Sequence, residues 1–169
     1  LARDDEAGLS PTQERYLDVA ERNARRLLAL VGDLLFVAQV DAGRFPLELS
    51  RVDVRTTVRA SAETALPVAA RAGVSVTVEV PDEPLEVRGD PTRLGQAVDN
   101  LVSNAVKFTP RGGSVTLRLT RVGDEVRVAV ADTGLGIPKD EMERLFTRFF
   151  RSTTSTRQAV QGVGLGLNI

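Results

Sequence analysis

Three apolar alternations oblige much of this chain to form a sheet. Val74, Val76, Val78 and Val80 alternate with Ser75, Thr77 and Glu79; Val115, Leu117 and Leu119 form a second set, and Val126, Val128 and Val130 a third. A period of two puts each set on one face of a strand, and that face needs cover. Gly123-Asp124, between the second and third sets, is a hairpin turn. Between the strands lie helix signals. Asp53 caps a helix that Gly73 ends near Ala72, with Pro67 expected to kink it. Asp90-Pro91 starts another helix, ending near Lys107. Leu47, Leu49 and Val52 suggest a strand over 46–52, residues 85–88 a short strand, and residues 139–146 a short helix. The order strand-helix-strand-strand-helix-strand-strand predicts an α+β two-layer sandwich, with a mixed, mostly antiparallel sheet and helices on one face.

Upstream the texture differs. Ser10-Pro11-Thr12-Gln13 reads as a capping box with proline at the first helical position. Apolar residues then recur every seven positions: Leu17, Ala24, Val31 and Ala38 on one row, Ala20, Leu27 and Leu34 on the next, joined by Leu28, Leu30, Leu35 and Val37. Gly43 stops the pattern. A helix from Pro11 to Ala42 would be roughly 48 Å long at about 1.5 Å per residue. Its wide stripe favours a multi-helix bundle. The boundary between this long N-terminal helix and the sandwich is placed at residue 44.

Composition excludes several functions. The net charge of −1, with interspersed signs and few aromatics, offers neither a basic footprint nor a stacking platform, so no nucleic-acid partner is expected. Cysteine and histidine are both absent, which removes disulfides and the usual zinc sites. No apolar run approaches the ~20 residues that cross a bilayer, and no signal peptide is visible.

Chemistry concentrates in four blocks. In DPTRLGQAVDNLVSNAVKFTP, residues 90–110, Asn100 and Asn104 share a helix face, with Lys107 close by; Leu94, Ala97, Val98, Leu101, Val102 and Ala105 are expected on the other side. The Asn104 side-chain oxygen is a hard ligand of the kind Mg²⁺ takes while sharing substrate phosphates, and Lys107 would neutralise phosphate charge. Alone, the block also fits a solvated polar face. In DTGLGI, Asp132 ends an apolar strand, where a carboxylate can accept a hydrogen bond from the exocyclic amino group of adenine. Gly134 and Gly136 let backbone approach a flat base closely. An ordinary strand-ending turn is the alternative. In GVGLGLN, Gly162, Gly164 and Gly166 present N–H groups that suit phosphates; the spacing is neither the dinucleotide fingerprint nor a P-loop, and a flexible linker fits it equally. In LFTRFFR, residues 145–151, three of six phenylalanines fall within five residues. They read either as an anchor under a surface loop or as a lid whose Arg148 or Arg151 swings toward phosphates.

In their chain order and spacing, NLVSNAVKFTP, DTGLGI, LFTRFFR and GVGLGL resemble the N, G1, F and G2 boxes of the catalytic, ATP-binding domain of sensor histidine kinases, a fold shared with gyrase, Hsp90 and MutL ATPases. RNARRLLALVGDLLFVAQVDAGRFPLEL, from Arg22, resembles the second helix of the dimerisation and phosphotransfer hairpin running into the first strand. The resemblance implies a partial dimerisation region over 1–43 and a C-terminally truncated catalytic domain over 44–169. It also implies ATP and Mg²⁺ as cofactors. Asn104 would ligate the metal, with Asn100 near the phosphates, Lys107 on phosphate and Phe108 lining the pocket. Asp132 would read adenine beside Gly134, Gly136 and Ile137. Arg148 or Arg151 would approach the γ-phosphate, and Gly162, Gly164, Leu165, Gly166 and Leu167 would wrap the phosphates. The implied partners are a histidine-bearing hairpin, a response regulator and a second copy joined through the N-terminal helix. The implied location is the cytoplasm, with inner-membrane anchoring of the parent protein left open.

Three departures qualify this. The related ATPases carry a general-base glutamate where Asn100 stands, and an amide cannot take a proton from water. That favours phosphoryl transfer over hydrolysis, with Asp99 as the neighbouring acid. The phosphoacceptor helix and its histidine are absent, so this chain is not expected to phosphorylate itself. Most of the helix after the last glycine block is absent too. The other readings are a degenerate nucleotide-gated binding or dimerisation module and a gyrase- or Hsp90-type hydrolase.

Overall fold

The computed structural model describes residues 9–41, 46–145 and 147. The chain divides into two units, Leu1–Arg44 and Phe45–Ile169.

In the first unit, α1 spans Pro11–Asp41. Its capping box forms as its sequence suggests: Gln13 N donates to Ser10 Oγ at 3.3 Å, and Ser10 N donates to Gln13 Oε1 at 2.8 Å. Leu17, Leu27, Leu28, Val31 and Leu35 of the heptad stripe are exposed within this unit. Arg25 and Glu21 pair one turn apart on the surface, a contact of small energetic weight.

The second unit begins with β1, Ser50–Asp53, followed by α2, Val54–Ala72. Asp53 caps α2 by accepting from Arg55 N at 3.1 Å, and its carboxylate also pairs with the Arg55 guanidinium at 2.7 Å. That side-chain bond holds the Asp53 pKa down at about 2, against an ordinary 3.8. α2 runs unbroken through Pro67 and ends in a Schellman motif. Gly73, at φ 72°, donates to Ala70 O, and Val74 N donates to Ala69 O.

β2, Ser75–Glu79, lies parallel to β4, Ser114–Val122, which pairs antiparallel with β5, Glu125–Asp132, in the order β2-β4-β5. β3, Glu86–Gly89, pairs antiparallel with β1 as a separate two-stranded sheet among the described residues. α3 spans Pro91–Phe108. The architecture is α+β, with a mixed three-stranded sheet of one parallel and one antiparallel pairing beside the antiparallel β1–β3 pair.

Residues Val115, Leu117 and Leu119 of β4 are buried while Arg118 between them is exposed, as the alternation demands. They share one cluster with Val54, Val58, Ala62 and Ala69 of α2 and Val98, Val102, Ala105 and Val106 of α3. Val126, Val128 and Val130 of β5 pack against it, partly buried. β2 has a strand on one side only among the described residues, and Val78 is exposed there.

Two expectations need correction. The strand expected over 46–52 covers only Ser50–Asp53, and Leu47 and Leu49 are exposed. Glu48 N donates to the Asp90 carboxylate at 3.0 Å, so its hydrogen bond is spent on a side chain, not a ladder. The helix expected over 139–146 is a 3-10 helix, Lys139–Arg144. No helix among the described residues is long and apolar enough to cross a membrane.

Candidate functional site

The site rests on how α3 is held. Asp90 is buried and caps α3, accepting from Thr92 N at 2.9 Å and Arg93 N at 3.2 Å while also taking the Glu48 N–H. These backbone donors, Glu48 first, keep its carboxyl below the usual carboxylate range. The cap fixes where the helix begins; packing decides which of its residues face the core. Val98, Val102, Ala105 and Val106 face inward. Ala97 and Leu101 do not: both are exposed, Leu101 at 39%. That corrects the expectation that they lie on the buried side. At 3.6 residues per turn, positions 97, 101, 104 and 108 fall on one row, which flanks the core.

Asn104, on this row, and Asn100, beside it, are half-buried, and Lys107 is exposed. The Asn100 Nδ2 is buried with no hydrogen-bond partner among the described residues. An orphaned donor of this kind costs about 1–3 kcal/mol, and an acceptor such as a phosphate oxygen would satisfy it. Lys107 Nζ lies 5.1 Å from the centroid of the half-buried Phe108 ring, within cation–π range.

Asp132, at the end of β5, is exposed, and its Oδ1 accepts from Gly134 N at 2.8 Å. The loop after it then meets the end of α3. Leu135 N donates to Phe108 O at 3.2 Å. A Cβ at Gly134 would lie 2.6 Å from that same carbonyl oxygen and 2.6 Å from Asp132 Oδ1, so only glycine fits this approach. Gly136 is needed for a different reason: its φ is 65°, in the left-handed region, with open space around it. Ile137 follows, exposed.

The structure thus brings the end of the Asn100–Phe108 segment against the Asp132–Leu135 loop by direct backbone contact. Arg148, Arg151, Gly162, Gly164, Leu165, Gly166 and Leu167 lie outside the described residues. The described part also reveals supports that motif reading passed over. Thr109 Oγ1 donates to Ala105 O at 2.7 Å, and Ser114 N donates to Thr133 Oγ1 at 2.9 Å. A threonine directly after Asp132 was the available signal, but its bond depends on strand register. No group of three or more acidic, histidine or cysteine ligands occurs among the described residues. The donor set fits a cation held by one amide oxygen together with ligand oxygens and water, as Mg²⁺ accepts, and does not fit a cage made by protein alone.

Residues 89–169 match the family model described as histidine kinase-, DNA gyrase B- and HSP90-like ATPase. The mycobacterial sensor histidine kinase MprB has a solved structure that is 34% identical, with a TM-score of 0.58 over 71% of this chain and 74% of its own. This chain belongs to the histidine kinase family. Within that family, the histidine protein kinase DivJ of Caulobacter vibrioides is 38% identical over 162 residues, which make up 94% of this chain and 27% of DivJ. Full-length ShkA, solved in complex with AMPPNP, is 32% identical with a TM-score of 0.77, over 97% of this chain and 34% of its own. The chain therefore spans roughly a quarter of the length of a curated kinase such as DivJ.

Proposed function

We propose that this chain is the ATP-binding catalytic portion of a two-component sensor histidine kinase, which transfers the ATP γ-phosphate to a histidine on another segment and thence to a response regulator. The observation that carries the reading is the backbone contact between Phe108 and the 134–135 loop. It sets the end of the helix that carries the amides against the loop that follows the exposed Asp132 carboxylate. The AMPPNP complex of ShkA supports a nucleotide as the ligand.

In this reading Asp132 accepts a hydrogen bond from the adenine amino group, with Gly134, Gly136 and Ile137 beside the base. Phe108 lines the pocket. Asn100 Nδ2 donates to a phosphate oxygen, and Lys107 offsets phosphate charge. Asn104 would hold Mg²⁺ through its side-chain oxygen, and the ion would spread the negative charge of the phosphates. Arg148 or Arg151 would approach the γ-phosphate, with Gly162, Gly164, Leu165, Gly166 and Leu167 around the phosphates. Phosphoryl transfer asks mainly for positioning and charge stabilisation. The amide at Asn100 suits that demand and not proton abstraction from water.

The test mixes radiolabelled ATP, Mg²⁺, this chain and a separate histidine-bearing hairpin. Label on the hairpin and none on this chain, which has no histidine, is the expected result. Nucleotide binding without transfer would point to a binding module, and phosphate release that depends on Asp99 to a hydrolase. The exposed stripe of α1 is proposed to join two copies. Light scattering should then show self-association, and a strictly monomeric mass at high concentration would contradict it.

A further inference from the structure

We infer that Thr133 is a positioning residue whose hydroxyl closes the last rung of the β4–β5 ladder and thereby aims Asp132 at the base. The inference rests on the proposed role of Asp132 as base reader.

The antiparallel register sets Val115 opposite Asp132. The next rung joins Ser114 and Thr133. Thr133 N donates to Ser114 O at 3.0 Å, as a strand residue would. The return bond goes elsewhere: Ser114 N donates to Thr133 Oγ1 at 2.9 Å, not to a main-chain carbonyl. A side chain thus stands in for the backbone acceptor, and the chain leaves the ladder directly after Asp132. Leaving there, it can turn so that Gly134 N reaches Asp132 Oδ1 at 2.8 Å and Leu135 N reaches Phe108 O at 3.2 Å. Without the hydroxyl, the rung is completed only if the Thr133 carbonyl swings back toward Ser114. That would draw Gly134 off Phe108 and turn the carboxylate.

The surroundings keep the hydroxyl in place. A Cβ on Gly113 would lie 2.8 Å from Thr133 Oγ1 and 2.4 Å from Thr109 Cγ2. The absence of a side chain at Gly113 lets both threonines close in. Thr109 is buried and bonded back to Ala105 O in α3. Thr109, Gly113 and Thr133 therefore couple the end of α3 to the loop carrying Asp132.

The test measures binding of ATP and of purine riboside triphosphate, which lacks the exocyclic amino group, by calorimetry on the full 169-residue chain. The parent should prefer ATP. Thr133→Val should lose most of that preference, roughly ten-fold, the scale of one misplaced hydrogen bond to a charged group. Thr133→Ser, which retains the hydroxyl, should keep it. Adding Thr133→Val to Asp132→Ala should change the ratio no further, because both act through one carboxylate. If Thr133→Val does not fold, Thr133→Ala removes the same hydroxyl with less bulk and reads the same ratio. A preference unchanged in the hydroxyl-free variant overturns the inference and leaves Asp132 as base reader. An equal loss for both nucleotides also overturns it, since that is what a merely structural residue produces. A parent that shows no preference removes the role of Asp132 and the inference together.

Discussion

Replacing Gly134 by alanine tests the contact on which the site depends. The new Cβ would sit 2.6 Å from Phe108 O and 3.1 Å from Phe108 C, both backbone atoms that cannot swing aside. Ordinary contact begins near 3.4 Å, so the loop must retreat by about 0.8 Å. Leu135 N, already 3.2 Å from Phe108 O, would then pass beyond hydrogen-bond range. The Cβ also meets Asp132 Oδ1 at 2.6 Å, so the carboxylate must rotate and give up its bond from Gly134 N. Two hydrogen bonds at about 0.5–1.5 kcal/mol each give an expected stability loss of about 1–3 kcal/mol. The displaced carboxylate should weaken ATP binding by roughly ten-fold or more. Gly136→Ala is the control. It meets nothing within 4 Å and bears only the left-handed strain of φ 65°, of order 1–2 kcal/mol, so it should cost stability with a smaller loss of affinity. Urea unfolding followed by circular dichroism reads the first quantity, and calorimetric titration with ATP the second. If Gly134→Ala stays within about 0.5 kcal/mol and two-fold of the parent, the close approach of loop and helix is wrong.

Three further outcomes follow from particular residues. Asp132→Asn should leave the fold intact, because an amide oxygen can still accept from Gly134 N, yet weaken ATP binding roughly ten-fold or more; unchanged affinity by calorimetry would count against the base reader. Leu117→Ala should lower unfolding free energy by about 2–5 kcal/mol, since Leu117 is fully buried (0% exposed) at the centre of the core; a loss under about 1 kcal/mol in urea would contradict that placement. Asp53 has its pKa depressed to about 2 from 3.8, so the stability it contributes is present above pH ~4 and is lost as pH falls toward 2. The stability gap between the parent and Asp53→Asn should shrink over that window, and a gap independent of pH would refute the assignment.

Most of the elements were legible from local signals, and so were the residues proposed for the site. Period-two valines set the strands, and Asp53, Asp90 and Ser10 each announced a helix start, because caps and alternation act within a few residues and need no partner far along the chain. The spacing of Asn100 and Asn104 put both amides on one helix side for the same reason. Tertiary structure decided the rest. The side of α3 that meets the sheet follows from its packing, which left Leu101 exposed although its apolarity suggested burial. Glu48 turned from a strand to Asp90, 42 residues away. The parallel pairing of β2 with β4 and the seat of Gly134 on the Phe108 carbonyl join segments far apart in the chain. Such contacts run through backbone groups that every residue carries, so no side-chain pattern announces them. The order of residues supplied the amide face, the carboxylate and the glycines; only the packing of β5 beside α3 set the loop after Asp132 against the end of the helix that carries the amides.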